Sequence, residues 1–329
     1  MNVDPFELVR AWGLPRARSA RRPGAGTNNT VWLVEAGGDR YVLRISQNAR
    51  AAQVEAEHRL LIALDRAGLP FRVPVPVGTP AGATTVETNA GPAALFGYLP
   101  GAAPDRGDLG HLRLAGQALA ELDAALARLP AALAPVDWRK PLDQVHPAVP
   151  CLDELVDELE RACPDHPGAR WLASSVPAAE AAYRRFCDTL PVQLVHGDYA
   201  LSNVLIEDGR VSAVLDFEIA GLDLRANDLT AGLLQWAGDW WEPGGREQWV
   251  TFLRGYQGRL TLQPAELRAL PDLLRLRDLG SVVWRSGRWR RGQATLDEVR
   301  QRLDGGVRRD AWLAEHASLA SDLFSAAAP

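Results

Sequence analysis

The sequence predicts an α+β fold in two lobes, a small β-rich amino-terminal lobe and a larger, mainly helical carboxy-terminal lobe. Residues 31–36 and 40–46 are strand-like runs joined by Gly37-Gly38-Asp39, which makes a hairpin early in the chain. Pro100-Gly101 breaks the chain after a further extended run. Beyond that break Leu112, Leu119, Leu122, Leu126 and Leu129 recur at the spacing of one helical face. The 329 residues exceed a typical single domain and suit two lobes sharing a cleft, with an expected division into 1–99 and 100–329.

In chain order, residues 5–14 read as a short helix opened by Asp4-Pro5, a capping side chain followed by a proline in the first turn. A turn-rich run, Arg22 to Asn29, leads into the hairpin. Residues 50–67 form an amphipathic helix with Val54, Leu61 and Leu64 at apolar positions. The proline-rich stretch 70–80 and the run 92–99 supply short extended pieces for the rest of a small sheet. Helices follow at 150–163, at 175–189 and in several segments after 225, with no internal repeat.

Composition excludes several classes of function. Hydrophobic residues at 47% and charged residues at 23% are ordinary for a soluble protein with a sizeable core. A net charge of −5 gives no reason to expect nucleic acid or membrane partners. Cys151, Cys163 and Cys187 are widely spaced, which argues against a zinc site or disulfide framework and for a reducing cytoplasm. The first residues carry acids and lack a long apolar core, unlike a signal peptide, and no stretch reaches the roughly 18 apolar residues of a membrane span.

Chemistry concentrates in residues 192–217. Apolar Val192-Gln193-Leu194-Val195 leads into His196-Gly197-Asp198-Tyr199-Ala200-Leu201-Ser202-Asn203, and two apolar runs then flank Asp208-Gly209, a strong hairpin signal. Asn203 opens that hairpin and Asp216 closes it, so both lie at its mouth, about 5 Å apart as neighbouring strands are. Asp198 lies on the loop feeding the same mouth. An Asn oxygen beside an Asp carboxylate is a hard-oxygen pair suited to Mg²⁺, and a third carboxylate there can orient a substrate hydroxyl and accept its proton. A lone His-Gly-Asp is commonly just a turn; the ordered set Asp198, Asn203, hairpin, Asp216 is much harder to reach by chance.

This segment resembles the catalytic loop of the aminoglycoside phosphotransferase and choline kinase superfamily, relatives of the protein kinases, and the Asp198-to-Asn203 spacing equals that of the kinase H-R-D-x-x-x-x-N loop. The resemblance implies a bilobal protein-kinase-like fold and Mg²⁺-dependent phosphoryl transfer from ATP to a hydroxyl. Asp198 is then the catalytic base, Asn203 and Asp216 the Mg²⁺ ligands, and His196 a structural residue of the loop. Asp228 corresponds to a superfamily residue that holds the catalytic loop through backbone hydrogen bonds; it also reads as a helix N-cap.

In the amino-terminal lobe the resemblance makes Gly24, Gly26, Thr27 and Asn28 a loop covering the nucleotide, where glycines let backbone N–H groups approach phosphate oxygens. It places Arg44, in Tyr41-Val42-Leu43-Arg44-Ile45, at the position of the kinase V-A-I-K lysine. Its natural partner is Glu57, which has Leu61 and Leu64 at i+4 and i+7, with Glu55 in reserve; the plain alternative is an outward-facing strand arginine. Residues 95–101, including Phe96 and Tyr98, resemble the hinge whose backbone pairs with adenine. One departure is Leu122-Asp123, where the family usually carries Leu-His.

For the acceptor, the run 236–242 combines three tryptophans with two carboxylates, and Asp239, Trp240, Trp241 and Glu242 suit a cationic amine. Trp284, Arg285, Arg288 and Trp289 form a basic cluster fit for a carboxylate; both clusters also read as core or solvated helix face. The whole is similar to homoserine kinase of this superfamily, which usually reads His-Ala-Asp where this chain reads His-Gly-Asp, as aminoglycoside and choline kinases do. Expected acceptors are homoserine or a related amino alcohol. The alternatives are an aminoglycoside-type antibiotic phosphotransferase and a non-catalytic nucleotide-binding protein.

Overall fold

The computed structural model describes residues 3–23, 29–47, 49–236, 242–316 and 318. Asp4 caps α1 (Pro5–Leu8) by accepting from the Phe6 amide at 2.9 Å, and a 3-10 turn then runs to Gly13, so the helix expected over 5–14 is only half α-helical. Strand β1 (Ser19–Arg21), β2 (Asn29–Ala36) and β3 (Asp39–Ser46) follow. After α2 (Ala51–Asp65) come β4 (Val86–Thr88) and β5 (Gly91–Gly97), and the strands join in a five-stranded antiparallel sheet of order β1-β2-β3-β5-β4.

Strand alternation decides what faces the cleft. Leu43 and Ile45 of β3, with Ala93 and Leu95 of β5, turn to one side and pack on Val9 and Trp12. Val42, Ala94 and Phe96 turn to the other, against Leu60, Leu61 and Leu64 of α2. Complete burial of a side chain such as Leu43 contributes about 1.5–3 kcal/mol, so a one-residue slip of register is strongly disfavoured. That register carries Arg44 to the α2 side.

The rest of the chain is mainly helical. In order it comprises α3 (Leu109–Leu126), β6 (Val136–Asp137), α4 (Leu152–Ala162), α5 (Gly168–Thr189), β7 (Val192–Val195), β8 (Val204–Glu207), β9 (Arg210–Val214), β10 (Gly221–Leu224), α6 (Arg225–Trp236), α7 (Gly245–Gln257), α8 (Pro264–Arg290) and α9 (Leu296–Glu315). The apolar face of α3 packs with α6, α7 and the start of α8 in the main core, while α4, α5, α9 and the later part of α8 enclose a satellite core. Strands β6, β10 and β7 make one small sheet and β8 with β9 the expected hairpin. No helix among the described residues is long and apolar enough to cross a membrane.

Two extended segments dock on that hairpin. The Ala102 and Ile206 backbones exchange hydrogen bonds at 2.9 and 2.8 Å, and Arg72 bonds Ser212 and Val214 at 2.9 Å each. Residues 70–80, expected among the strands of the amino-terminal sheet, instead make isolated bridges, one to β9 and one to β5. Gly101 permits the approach from the connecting segment: its φ is +135°, and a Cβ there would lie 2.6 Å from Ser212 Oγ.

Candidate active site

Strand β7 pairs with β10 through Val195 and Gly221 and delivers His196 to the end of the sheet. The next turn requires glycine. Gly197 has φ +84°, and a Cβ would stand 2.9 Å from the Ile219 carbonyl. The loop is then fixed from every side. Asp228 accepts from the amides of His196 and Gly197, the latter at 2.7 Å, and His196 Nε2–H donates to Leu215 O at 2.9 Å. His196 Nδ1 accepts from the Asp198 amide at 3.2 Å, which leaves the ring proton on Nε2. Tyr199 donates to Ala115 O at 3.0 Å, and Trp236 Nε1 donates to Tyr199 O at 3.1 Å.

Asp228 is no N-cap: α6 begins at Arg225, so Asp228 lies in its first turn, fully buried. Behind it stands Asp123, also fully buried, with Tyr256 donating to its Oδ2 at 2.6 Å. Burial, then the neighbouring Asp228 charge, push the Asp123 carboxyl well above the usual carboxylate range. The Leu122-Asp123 departure thus places an acid, hydrogen-bonded by Tyr256, behind the loop anchor.

At the hairpin mouth, Leu215 N donates to Asn203 O at 2.7 Å, which brings Asn203 beside Asp216. Asn203 Nδ2 donates to Asp198 O at 2.9 Å, so its Oδ1 is left for other partners and accepts from Ser202 Oγ at 3.2 Å. Asp216 takes φ +63°, and its Oδ1 is buried without a hydrogen-bond partner. Burial first, then the Glu218 charge, push its carboxyl up to about 7, against the pull of Arg44. A buried carboxylate oxygen without a donor, beside an amide oxygen, fits a hard divalent cation. Glu218, to which the sequence reading gave no role, accepts from Asn29 Nδ2 at 2.7 Å and so ties the start of β2 to this loop.

Across the cleft, Arg44 makes a bidentate pair with Glu57, Nη1 to Oε1 at 2.9 Å and Nη2 to Oε2 at 2.6 Å. The reserve acid, Glu55, points elsewhere and accepts from Thr85 Oγ1. Arg44 also feels the charges of Asp216 and Glu218 of the loop after β9. Phe96 is 4% exposed, with its ring against the Arg44 guanidinium and His58 and its backbone paired with Val42 of β3, so it is not open to a base. The Tyr98 amide is committed to Arg40 O at 3.0 Å and is not free to pair with one.

Gly24, Gly26, Thr27 and Asn28, and likewise Asp239, Trp240 and Trp241, lie outside the described residues. Glu242 is exposed just before α7, while Trp236, grouped with them in sequence, belongs to the core. The second cluster is spent internally. Trp284 meets His146 edge-on, Arg285 pairs with Glu298 at 3.0 Å, and Arg288 is buried. The basic residue that does reach the catalytic loop is Arg277 of α8, whose Nη2 donates to Gly197 O at 2.8 Å. Nothing local in sequence signalled it.

This loop, hairpin and strand arginine suit phosphoryl transfer, and the chain belongs to the phosphotransferase enzyme family, matched over residues 19–271. It is 30% identical over 273 residues to homoserine kinase of Phenylobacterium zucineum (strain HLK1), covering 81% of this chain and 79% of that one. Among solved structures it is similar to the microcompartment-associated aminopropanol kinase, with a TM-score of 0.68 at 20% identity over 96% of this chain and 97% of that one. Amicoumacin kinase in complex with AMP-PNP, Ca²⁺ and Ami matches with a TM-score of 0.65 at 16% identity, over 87% of this chain and 88% of that one. The enzyme is a small-molecule phosphotransferase with a hydroxyl group as acceptor, and the expected kinase-like α+β fold is the one it has.

Proposed function

We propose that this protein is an ATP- and Mg²⁺-dependent kinase whose acceptor is homoserine or a related amino alcohol. The observation that carries this reading is the convergence of Asp198, Asn203 and Asp216 at one hairpin mouth, with Asp216 Oδ1 buried and unpartnered. Asp198, 40% exposed, orients the acceptor hydroxyl and takes its proton as the oxygen bonds to the γ-phosphorus and the bond to the β,γ-bridging oxygen breaks. Asn203 and Asp216 hold Mg²⁺, which when bound supplies neutralisation of charge on the phosphate oxygens. Arg44, held in place by Glu57, contacts the phosphates, and residues 24–28 cover them. The hinge over residues 95–101 takes the base through backbone groups that the sheet leaves unpaired, and the chain passes from one lobe to the other at residue 100. The relatives named homoserine kinase, and a neighbour that binds AMP-PNP with a divalent cation, support the acceptor and the nucleotide.

The test is transfer from γ-labelled ATP with Mg²⁺ to homoserine, amino alcohols, sugars and aminoglycosides. Labelled phosphohomoserine or a phosphorylated amino alcohol is expected, lost on chelation and in Asp198→Ala, while AMP-PNP still raises the melting temperature of the variant. Transfer to none of these, or unimpaired transfer by Asp198→Ala, overturns the proposal.

A further inference from the structure

Arg277 is bound to the catalytic loop by only one of its nitrogens. Nη2 donates to Gly197 O at 2.8 Å and stands 3.9 Å from Asp198 Oδ1, beyond hydrogen-bond range. No hydrogen bond among the described residues engages its Nη1 or Nε, and neither atom is a buried orphan. The side chain is 25% exposed beside an Asp198 that is 40% exposed, so neither group is closed off from an incoming ligand. Other arginines of the same helix are closed on acids: Arg275 on Asp310 and Asp272, Arg285 on Glu298, Arg290 on Glu158. Those guanidinium groups have donors spent on a neighbouring acid, whereas Arg277 has a planar donor edge left for a ligand.

Beside the proposed base this makes a floor of two signs. A hydroxyl bound to Asp198 and an anionic group bound to the free edge of Arg277 would sit a few ångströms apart, the span of about two to four carbons. A carboxylate matches the planar edge bidentately, whereas a polycation brought to the same spot meets like charge. We propose that Arg277 is the anion site of the acceptor, pairing with its carboxylate while Asp198 holds its hydroxyl. The enzyme thereby selects short hydroxy acids over amino alcohols and aminoglycosides that lack a carboxylate. This rests on the kinase reading above and narrows its acceptor class.

The experiment compares homoserine with 3-aminopropan-1-ol, an amino alcohol without the carboxylate, in wild type, Arg277→Gln and Arg277→Lys. Wild type should favour homoserine by at least about tenfold in kcat/KM. Arg277→Gln loosens the Gly197 contact for both acceptors, so the reading is the difference between them: KM for homoserine should rise about 10- to 100-fold more than KM for 3-aminopropan-1-ol, with partial recovery in Arg277→Lys. Competition against homoserine by 2-aminobutyrate but not by propylamine, measured in wild type, tests the same site without relying on the variants folding. An equal fall in kcat for both acceptors, a wild-type preference for the alcohol, or equal inhibition by the two competitors overturns the anion site and leaves the kinase reading standing. Transfer to neither acceptor nor to any other alcohol defeats the kinase reading and this one with it.

Discussion

Arg44 of the amino-terminal sheet and Arg277 of α8 each face a carboxylate at the same cleft, and their pairs are finished to different degrees. Arg44 and Glu57 close bidentately with side chains 11% and 4% exposed, whereas Arg277 and Asp198 stop at 3.9 Å with side chains 25% and 40% exposed. A closed buried pair fixes a position: the arginine is locked and its charge is directed at whatever approaches its remaining face. An open pair at the solvent boundary leaves both partners with bonding capacity. The same residue types thus serve as a brace on one side of the cleft and as a receptacle on the other, and the difference lies in the distance between them.

The comparison can be broken most sharply at Asp198. Asp198→Asn keeps size and exposure but removes the charge that accepts a proton, so kcat should fall by about 10²- to 10⁴-fold with the melting temperature nearly unchanged. A variant that loses stability in step with activity would make Asp198 another brace. Next in size is Glu57→Ala, which leaves Arg44 buried without its acid. Urea unfolding should show a loss of about 3 kcal/mol, and KM for the nucleotide should rise. A stable Glu57→Ala enzyme with wild-type nucleotide affinity would show that the closed pair positions nothing.

A third prediction concerns pH. His58, 1% exposed next to Glu57, is held at about 3 by burial and then by the Arg44 charge. The unfolded chain therefore binds a proton, below its ordinary value of 6.5, that the folded chain refuses. The His58 contribution to stability is complete above that value and is lost as pH falls toward 3. His58→Leu should flatten the acid limb of the stability curve by up to about 1.4 kcal/mol per pH unit, measured by denaturant unfolding across that window. An unchanged slope would show that folding does not depress His58. The smallest effect is expected at Arg285, closed on Glu298 away from the loop. Arg285→Ala should leave kcat/KM for every acceptor within about twofold of wild type, and a larger change would restore the basic cluster expected from sequence.

The features legible in sequence share one physical property, that their signals are local. Gly37-Gly38 and Asp208-Gly209 mark two hairpins because positive φ leaves a strong residue preference, and Asp208 and Gly209 have φ +51° and +70°. Glu57 was legible as the partner of Arg44 because helical spacing put it on the face of Leu61 and Leu64. Strands β6 and β10 were not, since so short a parallel ladder joins residues far apart in the chain and leaves no alternation to read. The start of α5 was hidden by Ser174, Ser175 and Pro177, which the helix tolerates within its length. Arg277 was the costliest miss: its bond to Gly197 joins residues 80 positions apart, and in a helix rich in arginine nothing distinguishes it.

The hairpin that carries Asn203 and Asp216 is flanked on both edges, by Ala102 against Ile206 and by Arg72 against Ala213. The chain that leaves the amino-terminal sheet is therefore keyed to the strand that begins at Val204, directly after Asn203. Lengthening that connection by one residue would force either a bulge at Gly101, where there is no space, or a mismatch carried along β8. The far end of the same hairpin, exposed at Asp208 and Gly209, imposes no such count. Tolerance to insertion should differ sharply between two places on one ribbon, and tags or reporters belong at the turn and never in the crossover.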